Sequence, residues 1–217
     1  MPFKAVLFDL DGTLLDTLED IADSMNAALA MCGFPGHDLP TYKILVGDGM
    51  DVLTKRALPE KNRDDATVEK CLAGMRSEYG KRWAVKTHIY AGMAELLDGL
   101  AARKIRMAVL SNKPDDFTKA MVVKYLAKWR FDPVYGARAG VPKKPDPGSA
   151  VAVAKEMGLA PAEFLYLGDT NIDMRTANSA GMYALGAVWG FRPAKELLES
   201  GAKALVENPQ DVLAHIA

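Results

Sequence analysis

Short apolar runs alternate with helical patterns along most of the chain. The runs that fit buried strands cover residues 4–10, 105–112, 133–138, 163–169 and 182–190. Between them, apolar residues recur every three or four positions, the spacing of a helix with one buried face. These patterns predict helices at residues 92–103, 114–128, 147–158 and 171–181, and a last helix near Pro193. Strands that alternate with helices favour parallel pairing in a sheet that is covered on both faces.

The segment between the first two strands has a different pattern. From residue 16 to residue 85 it is typical of helices throughout, with breaks at residues 33–40, at residues 46–49 and at Pro59. We therefore predict an α/β fold with a core of residues 1–15 and 86–217. This core is a doubly wound, Rossmann-like parallel sheet, and residues 16–85 form a small α-helical domain inserted after the first strand.

The composition is that of an ordinary globular protein and excludes several classes of function. The 217 residues are 49% hydrophobic and 25% charged, with a net charge of -1. Without excess positive charge, we expect no binding to nucleic acid or to an anionic membrane surface. No apolar run reaches the length of a membrane span, and the acidic N-terminus does not fit a signal peptide.

The two cysteines, Cys32 and Cys71, form neither a CxxC pair nor a cluster with histidine. This arrangement does not predict a disulfide framework or a zinc site. Both are expected to be reduced, which favours a cytoplasmic location. A monomer and a homodimer both remain open.

Polar side chains follow the predicted core strands at the point where each strand ends. In chain order they belong to Asp9, Asp11 and Thr13, with Gly12 between the last two, then to Ser111 and Asn112, then to Lys143 and Lys144, and finally to Asp169, Thr170 and Asp173. Ligands of doubly wound sheets bind beyond the carboxyl ends of the strands. We therefore expect these side chains to meet at one edge of the sheet.

Each of these residues also has a structural explanation when it is considered alone. Asp9 and Asp11 can form a turn and a helix cap, and Ser111 can begin the next helix. Asp169 and Asp173 suit a helix N-terminus, where negative charge is favourable. These explanations do not account for the whole series at successive strand ends, which favours one shared site.

The reaction that suits this set of groups is phosphoryl transfer. Clustered carboxylates raise one another's pKa, and a set of oxygen ligands favours Mg²⁺ as the neutralising ion. The ion also screens a carboxylate that approaches an anionic phosphate. One aspartate can then attack phosphorus and form an aspartyl-phosphate that water cleaves. A second can move the protons of the leaving alkoxide and of that water.

The motifs DLDGT, SN, KPDP and GDTNID occur in this order, each at the end of a predicted strand. In this the chain resembles the haloacid dehalogenase superfamily of phosphatases over essentially its whole length. The pair DxDGT and GDxxxD is highly specific, whereas SN and KP are weak signals alone. The resemblance implies that residues 16–85 are an α-helical cap domain, which closes over the active site and selects the substrate.

The resemblance also implies roles for the motif residues. Asp9 is implied as the nucleophile and Asp11 as the general acid and base. Ser111 is implied to bind the phosphoryl oxygens. Lys144, rather than Lys143, is implied to neutralise the nucleophile and the phosphate. Because the dehalogenase branch lacks the second aspartate, Asp11 favours a phosphate ester over a haloacid as substrate.

The implied cofactor is Mg²⁺. The metal-binding residues that the resemblance implies are Asp9, the main-chain carbonyl of Asp11, and Asp169, with Asp173 in support. Gly12, Thr13 and Asn112 are expected beside the substrate.

Within the inserted segment, residues 42–58 resemble the corresponding stretch of phosphoglycolate phosphatases, including the glycines Gly47 and Gly49. Gly47, Lys43 and Arg56 are therefore candidate substrate-binding residues, the last two for a substrate carboxylate. A lone GxG does not indicate a dinucleotide site here, because it follows no strand and lacks the third glycine. An ordinary loop between helices explains the two glycines as well.

The function expected from the sequence is that of a Mg²⁺-dependent phosphatase. Its substrate is a small phosphorylated metabolite, with 2-phosphoglycolate as the first candidate. The alternatives within the fold are a phosphosugar mutase of the beta-phosphoglucomutase type and a pyrophosphatase. A non-catalytic scaffolding protein is the third alternative, and it fits poorly with the retained charges of Asp9, Asp11, Lys144 and Asp169.

Overall fold

The computed structural model describes residues 3–216, which form eight strands, nine α-helices and three short 3-10 helices. The strands are β1 (Ala5–Phe8), β2 (Leu15–Asp16), β3 (His88–Ile89), β4 (Arg106–Pro114), β5 (Phe131–Ala137), β6 (Phe164–Gly168), β7 (Tyr183–Ala187) and β8 (Ala204–Val206). The helices are α1 (Leu18–Met31), α2 (Leu39–Leu45), α3 (Met50–Ala57), α4 (Asp65–Arg82), α5 (Met93–Ala102), α6 (Asp115–Tyr125), α7 (Gly148–Glu156), α8 (Asn171–Ala180) and α9 (Ala194–Glu199). The 3-10 helices are Glu60–Asn62, Pro161–Glu163 and Pro209–His215.

Six of the strands form one parallel sheet in the order β5-β4-β1-β6-β7-β8. The chain starts in the middle at β1, builds one half of the sheet through β4 and β5, and then crosses to the other side for β6. This confirms the predicted doubly wound α/β fold. The order reverses around β1, so the carboxyl ends of β1, β4 and β6 meet at the topological switch point.

The central strand β1 is buried on both faces, and all four of its residues have no exposed surface. Ala5 and Leu7 lie in an apolar cluster with Tyr166 of β6 and with residues of α7 and α8. Such two-sided burial explains the uninterrupted apolar runs in the core strands. It also fixes the backbone at the end of β1, where the motif residues begin.

The chain divides into two compact units. The sheet unit contains the residues up to Leu15 and from Ile89 onward, and the helical unit contains Asp16–His88. The second boundary therefore lies at residue 88, three residues beyond the position expected from the sequence. The short strands β2 and β3, which form a two-stranded sheet, coincide with the two points where the chain passes from one unit to the other.

The helical unit consists of α1 to α4. Helices α2 and α3 are separated by residues 46–49, where a break was predicted. The side chains of Asp38 and Asp64 begin α2 and α4, because each accepts a hydrogen bond of 3.0 Å from a main-chain N–H three residues later. None of the described helices combines the length and the hydropathy of a membrane span.

Candidate active site

The first motif residue, Asp9, lies directly after β1 and is almost completely buried. Its Oδ1 atom accepts a hydrogen bond of 2.7 Å from the main-chain N–H of Leu10. The same oxygen lies 2.9 Å from Nζ of Lys144. The carboxylate is therefore held in a fixed position at the carboxyl end of the central strand.

Gly12 lies in the turn that follows and has a positive φ of 81°. A Cβ atom at this position would lie 2.3 Å from Oδ2 of Asp169. Glycine is thus required both for the backbone conformation and for the close approach of the Asp169 carboxylate. This explains why the motif has glycine between Asp11 and Thr13.

Three buried carboxylates come together at this end of the sheet. They belong to Asp9, Asp169 and Asp173, and one oxygen of each lies within 4.8 Å of the others. The side chain of Asp11 is not a member of this cluster. The sheet thus brings together residues that are more than 150 positions apart in the sequence.

Asp169 follows β6 and has no exposed surface. Its Oδ1 accepts a hydrogen bond of 2.7 Å from the hydroxyl of Thr13, and its Oδ2 accepts one of 2.8 Å from the main-chain N–H of Phe191. The hydroxyl of Thr13 is therefore directed to the carboxylate cluster. Gly190 permits this arrangement, because a Cβ atom there would lie 2.4 Å from Oδ2 of Asp169.

Asp173 lies in the first turn of α8 and is completely buried. Its Oδ2 accepts hydrogen bonds from the main-chain N–H of Thr170 at 3.0 Å and from the Thr170 hydroxyl at 2.6 Å. Its Oδ1 lies 2.7 Å from Nζ of Lys144 and accepts a hydrogen bond of 3.3 Å from the hydroxyl of Tyr166. Both oxygens of Asp173 are thus occupied by donors of the protein, which suits a supporting residue.

Lys144 bridges two of the carboxylates. Its ammonium lies between Asp9 and Asp173, with only 2% of the side chain exposed. Burial opposes the charged form, but the negative charges of Asp173 and Asp9 hold the pKa of Lys144 well above its ordinary value. Lys144 therefore stays positively charged inside the site.

Asn112 fixes the backbone of Lys144 through two hydrogen bonds of its side-chain amide. Its Nδ2 donates to the carbonyl oxygen of Lys144 at 3.0 Å, and its Oδ1 accepts from the N–H of Lys144 at 2.9 Å. The sequence predicted Asn112 beside the substrate. In the structure, these two hydrogen bonds direct its amide to the main chain of Lys144.

The electrostatics of the cluster fit a divalent cation. Burial and the negative charge of Asp173 raise the pKa of Asp9 to about 7, against the opposing charge of Lys144. Burial, Asp173 and Asp9 likewise raise the pKa of Asp169 well above its ordinary value. When all three carboxylates are ionised, the one ammonium leaves an excess of two negative charges, which a hard cation bound by hard oxygen ligands offsets. The donor set therefore fits a metal site.

The remaining catalytic candidates, Ser111 and Asp11, both contact Lys113. Ser111 is buried in β4, and its Oγ accepts a hydrogen bond of 3.3 Å from the N–H of Lys113. The carboxylate of Asp11 is bound by the ammonium of Lys113, at 2.8 Å from Oδ1 and 3.0 Å from Oδ2. Lys113 was not among the residues predicted from the sequence.

Residues 6–187 match the sequence profile of the family described as haloacid dehalogenase-like hydrolase. The chain belongs to this family. The match runs from β1 to β7 and includes the inserted helices, which confirms the resemblance seen in the four motifs.

Several curated relatives of this haloacid dehalogenase-like hydrolase are named phosphoglycolate phosphatase. The relative from Pseudomonas syringae pv. syringae is 30% identical over 209 residues, which are 94% of this chain and 76% of the relative. The relative from Nitrosospira multiformis is 30% identical over 211 residues, which are 96% of this chain and 93% of the relative.

Solved structures agree with the fold. A crystal structure from Lactobacillus delbrueckii subsp. bulgaricus has a TM-score of 0.93 at 26% identity, and it covers 100% of this chain and 99% of its own. One from Haemophilus somnus 129pt, described as a predicted phosphoglycolate phosphatase, has a TM-score of 0.91 at 26% identity. That match covers 98% of this chain and 97% of the other.

The substrate candidates of the inserted segment lie in the helical unit of this hydrolase. Lys43 is exposed in α2, and Gly47 follows that helix with a φ of 124°. Arg56 of α3 donates a hydrogen bond to the carbonyl oxygen of Leu45 at 3.4 Å and forms an ion pair of 2.5 Å with Asp48. These contacts keep Arg56 beside the loop that contains Gly47.

Proposed function

We propose that this protein is a Mg²⁺-dependent phosphatase that hydrolyses a small phosphate monoester through an aspartyl-phosphate. The proposal rests mainly on one observation, the buried Asp9 carboxylate fixed by Lys144 within a three-carboxylate cluster. We further propose 2-phosphoglycolate as the substrate. Relatives named phosphoglycolate phosphatase, 28–30% identical over at least 94% of the chain, support this choice.

Mg²⁺ would be held by the carboxylates of Asp9 and Asp169 and by the main-chain carbonyl of Asp11. When bound, the ion supplies positive charge that offsets the charge of the phosphate and of the transition state. Asp173 would be a supporting residue of the metal site, because its oxygens already accept hydrogen bonds from Thr170 and Lys144.

Asp9 attacks the phosphorus atom of the substrate in line with the ester oxygen. A bond forms between the carboxylate and phosphorus while the bond from phosphorus to the ester oxygen breaks. The N–H of Leu10 and the ammonium of Lys144 hold the carboxylate during this step. The hydroxyl of Ser111 and the ammonium of Lys144 stabilise the charge on the transferring oxygens.

Asp11 transfers the protons in both halves of the reaction. It gives a proton to the leaving alkoxide, so that the ester oxygen departs as a neutral hydroxyl group. It then takes a proton from the water that attacks the phosphorus of the aspartyl-phosphate. Inorganic phosphate is released and the carboxylate of Asp9 is regenerated.

We propose that the helical unit, Asp16–His88, acts as the cap that selects the substrate. Lys43 and Arg56 supply positive charge for the carboxylate of 2-phosphoglycolate, and Gly47 shapes the loop beside Arg56. The variants Lys43→Ala and Arg56→Ala should therefore raise KM for 2-phosphoglycolate several-fold. Their KM for p-nitrophenyl phosphate, which has no carboxylate, should change little, and an equal change for both substrates would contradict the role.

The function is tested by measuring phosphate release from a panel of small phosphate monoesters with Mg²⁺ and with EDTA. We expect release that requires Mg²⁺ and is fastest for 2-phosphoglycolate. Sugar 1-phosphates and pyrophosphate belong in the same panel. Isomer formation without net phosphate release would instead indicate a mutase, and a preference for pyrophosphate would indicate a pyrophosphatase.

A further inference from the structure

Lys113 lies two residues beyond Ser111, at the end of β4, and only 4% of its side chain is exposed. Its ammonium contacts both oxygens of Asp11, at 2.8 and 3.0 Å. A buried lysine is costly unless its charge is paired and hydrogen-bonded. The contact with Asp11 supplies that pairing, so the two side chains form one unit.

The backbone of Lys113 is fixed by its neighbours. Its N–H donates to Oγ of Ser111 at 3.3 Å, and its carbonyl oxygen accepts a hydrogen bond of 3.2 Å from the hydroxyl of Thr118 in α6. Gly136 of the adjacent strand β5 has to be a glycine, since a Cβ atom there would lie 2.7 Å from the carbonyl oxygen of Lys113. The ammonium is therefore aimed at Asp11 by a rigid part of the fold.

We infer that Lys113 is a positioning residue that acts on the substrate through Asp11. This inference rests on the proposed function, in which Asp11 gives its proton to the leaving alkoxide. The ammonium of Lys113 contacts both oxygens of Asp11. This fixed contact holds the carboxyl group of Asp11 in one orientation for proton transfer to the leaving oxygen.

The proposed roles of Lys113 and Lys144 differ in how strongly each lysine should affect the hydrolysis of different phosphate esters. Lys144 contacts Asp9 and acts on the attack at phosphorus, which every phosphate ester requires. Lys113 acts on proton delivery to the leaving oxygen, which an alkyl ester requires and an ester of p-nitrophenol does not. A change at Lys113 should therefore separate the two kinds of ester.

The experiment compares kcat/KM for 2-phosphoglycolate with kcat/KM for p-nitrophenyl phosphate in the full-length, Mg²⁺-loaded enzyme. In a reaction through an aspartyl-phosphate, kcat/KM reports only the steps up to departure of the leaving group. Lys113→Met should lower the value for 2-phosphoglycolate by about tenfold or more, and that for p-nitrophenyl phosphate by less than about threefold. Lys113→Gln should give the same ratio.

The ratio of the two values does not depend on how much of a preparation is folded, so partial misfolding cannot imitate the result. Adding Lys113→Met to an Asp11→Asn enzyme should cause less than about a twofold further loss for 2-phosphoglycolate, because the two residues act as a unit. Lys119→Met removes an exposed cation of the adjacent helix α6 and should leave both values unchanged.

Three results would overturn the inference. Equal losses for both substrates would indicate a general electrostatic or structural role for Lys113. No loss for either would show that the ion pair does not act in the reaction. Independent losses from Lys113→Met and Asp11→Asn would show that they do not act as a unit. A wild-type enzyme that releases phosphate from neither ester would instead overturn the proposed function, and this inference with it.

Discussion

At the scale of single residues, Thr13 shows how a motif residue supports the carboxylate cluster through hydrogen bonds. Its hydroxyl is completely buried and donates to Oδ1 of Asp169 at 2.7 Å. The main-chain carbonyl of Thr13 in turn accepts a hydrogen bond of 3.0 Å from the indole N–H of Trp189. The residue thus connects the loop after β1 with one carboxylate of the cluster.

We predict that Thr13→Val increases the Mg²⁺ concentration needed for half-maximal activity by about tenfold, the usual size for loss of an outer-shell partner of a metal ligand. Valine has nearly the same shape but cannot donate to Asp169. Titration of activity with Mg²⁺ at saturating substrate measures the effect. Thr13→Ser keeps the donor and is the matched control. A raised KM for substrate with an unchanged Mg²⁺ requirement would instead indicate direct substrate contact.

The roles of Asn112 and Lys113 were not accessible from the sequence. Asn112 was recognised as part of a motif, but its partner is the backbone of a residue 32 positions away. Lys113 stands just outside the SN motif, and lysine is common on surfaces, so nothing in the sequence distinguishes it from a solvated residue. Such pairings depend on which strands become neighbours, which the local pattern does not specify.

At the scale of elements, the start of α1 and residues 85–87 are joined by one buried carboxylate within the helical unit. Asp20 is 1% exposed. It accepts hydrogen bonds from the main-chain N–H groups of Val85, Lys86 and Thr87 and from the Thr87 hydroxyl, at 2.7 to 3.1 Å. These bonds hold the segment that leads out of the helical unit against its first helix.

We predict that Asp20→Asn destabilises the protein by about 2 to 4 kcal/mol, because an amide group cannot accept all four hydrogen bonds and leaves buried donors unpaired. Urea unfolding measures the change. Asp23→Asn is the matched control, since Asp23 lies on the same helix with its side chain 47% exposed and forms a surface ion pair with Lys86. Equal stability of the two variants would refute the prediction.

The sequence predicts strands with long apolar runs well, but it does not predict the short edge strand. The apolar run at residues 163–169 contains β6, and the run at residues 105–112 contains all of β4 except its last two residues, because two-sided burial leaves a clear signal. The strand β8, Ala204–Val206, was missed, since it has three residues and only Val206 is buried. It pairs with β7 at the sheet edge, so its position depends on the completed sheet rather than on its own sequence.

At the scale of the whole molecule, the charge of the buried carboxylate cluster depends on pH and affects the stability of the fold. Burial and Asp173 raise the pKa of Asp9 from 3.8 to about 7, so the metal-free native state retains a proton that the unfolded chain releases. The resulting stability is complete below about pH 4 and is lost as the pH rises through 7. The raised pKa of Asp169 acts in the same direction.

We predict that the protein in EDTA becomes less stable between about pH 5.5 and pH 8, while Mg²⁺ stabilises it more at pH 8. The cation requires deprotonated ligands, and a ligand at 100 times its Kd adds about 2.7 kcal/mol. Surface carboxylates with lowered pKa values, such as Asp38 and Asp64, titrate below this range. Thermal unfolding with and without Mg²⁺ measures both effects, and a Mg²⁺ effect independent of pH would contradict the assignment.

The central claim is that Asp9 attacks phosphorus within this cluster. The most direct measurement is phosphate release from 2-phosphoglycolate in Mg²⁺ by wild-type protein and by Asp9→Asn, with Asp23→Asn as the control on an exposed carboxylate. Asparagine keeps the shape of the side chain but not its nucleophilic oxygen, so the account predicts that release falls to background while the fold, checked by circular dichroism, is retained. Release by Asp9→Asn at a rate close to that of the wild type would contradict it.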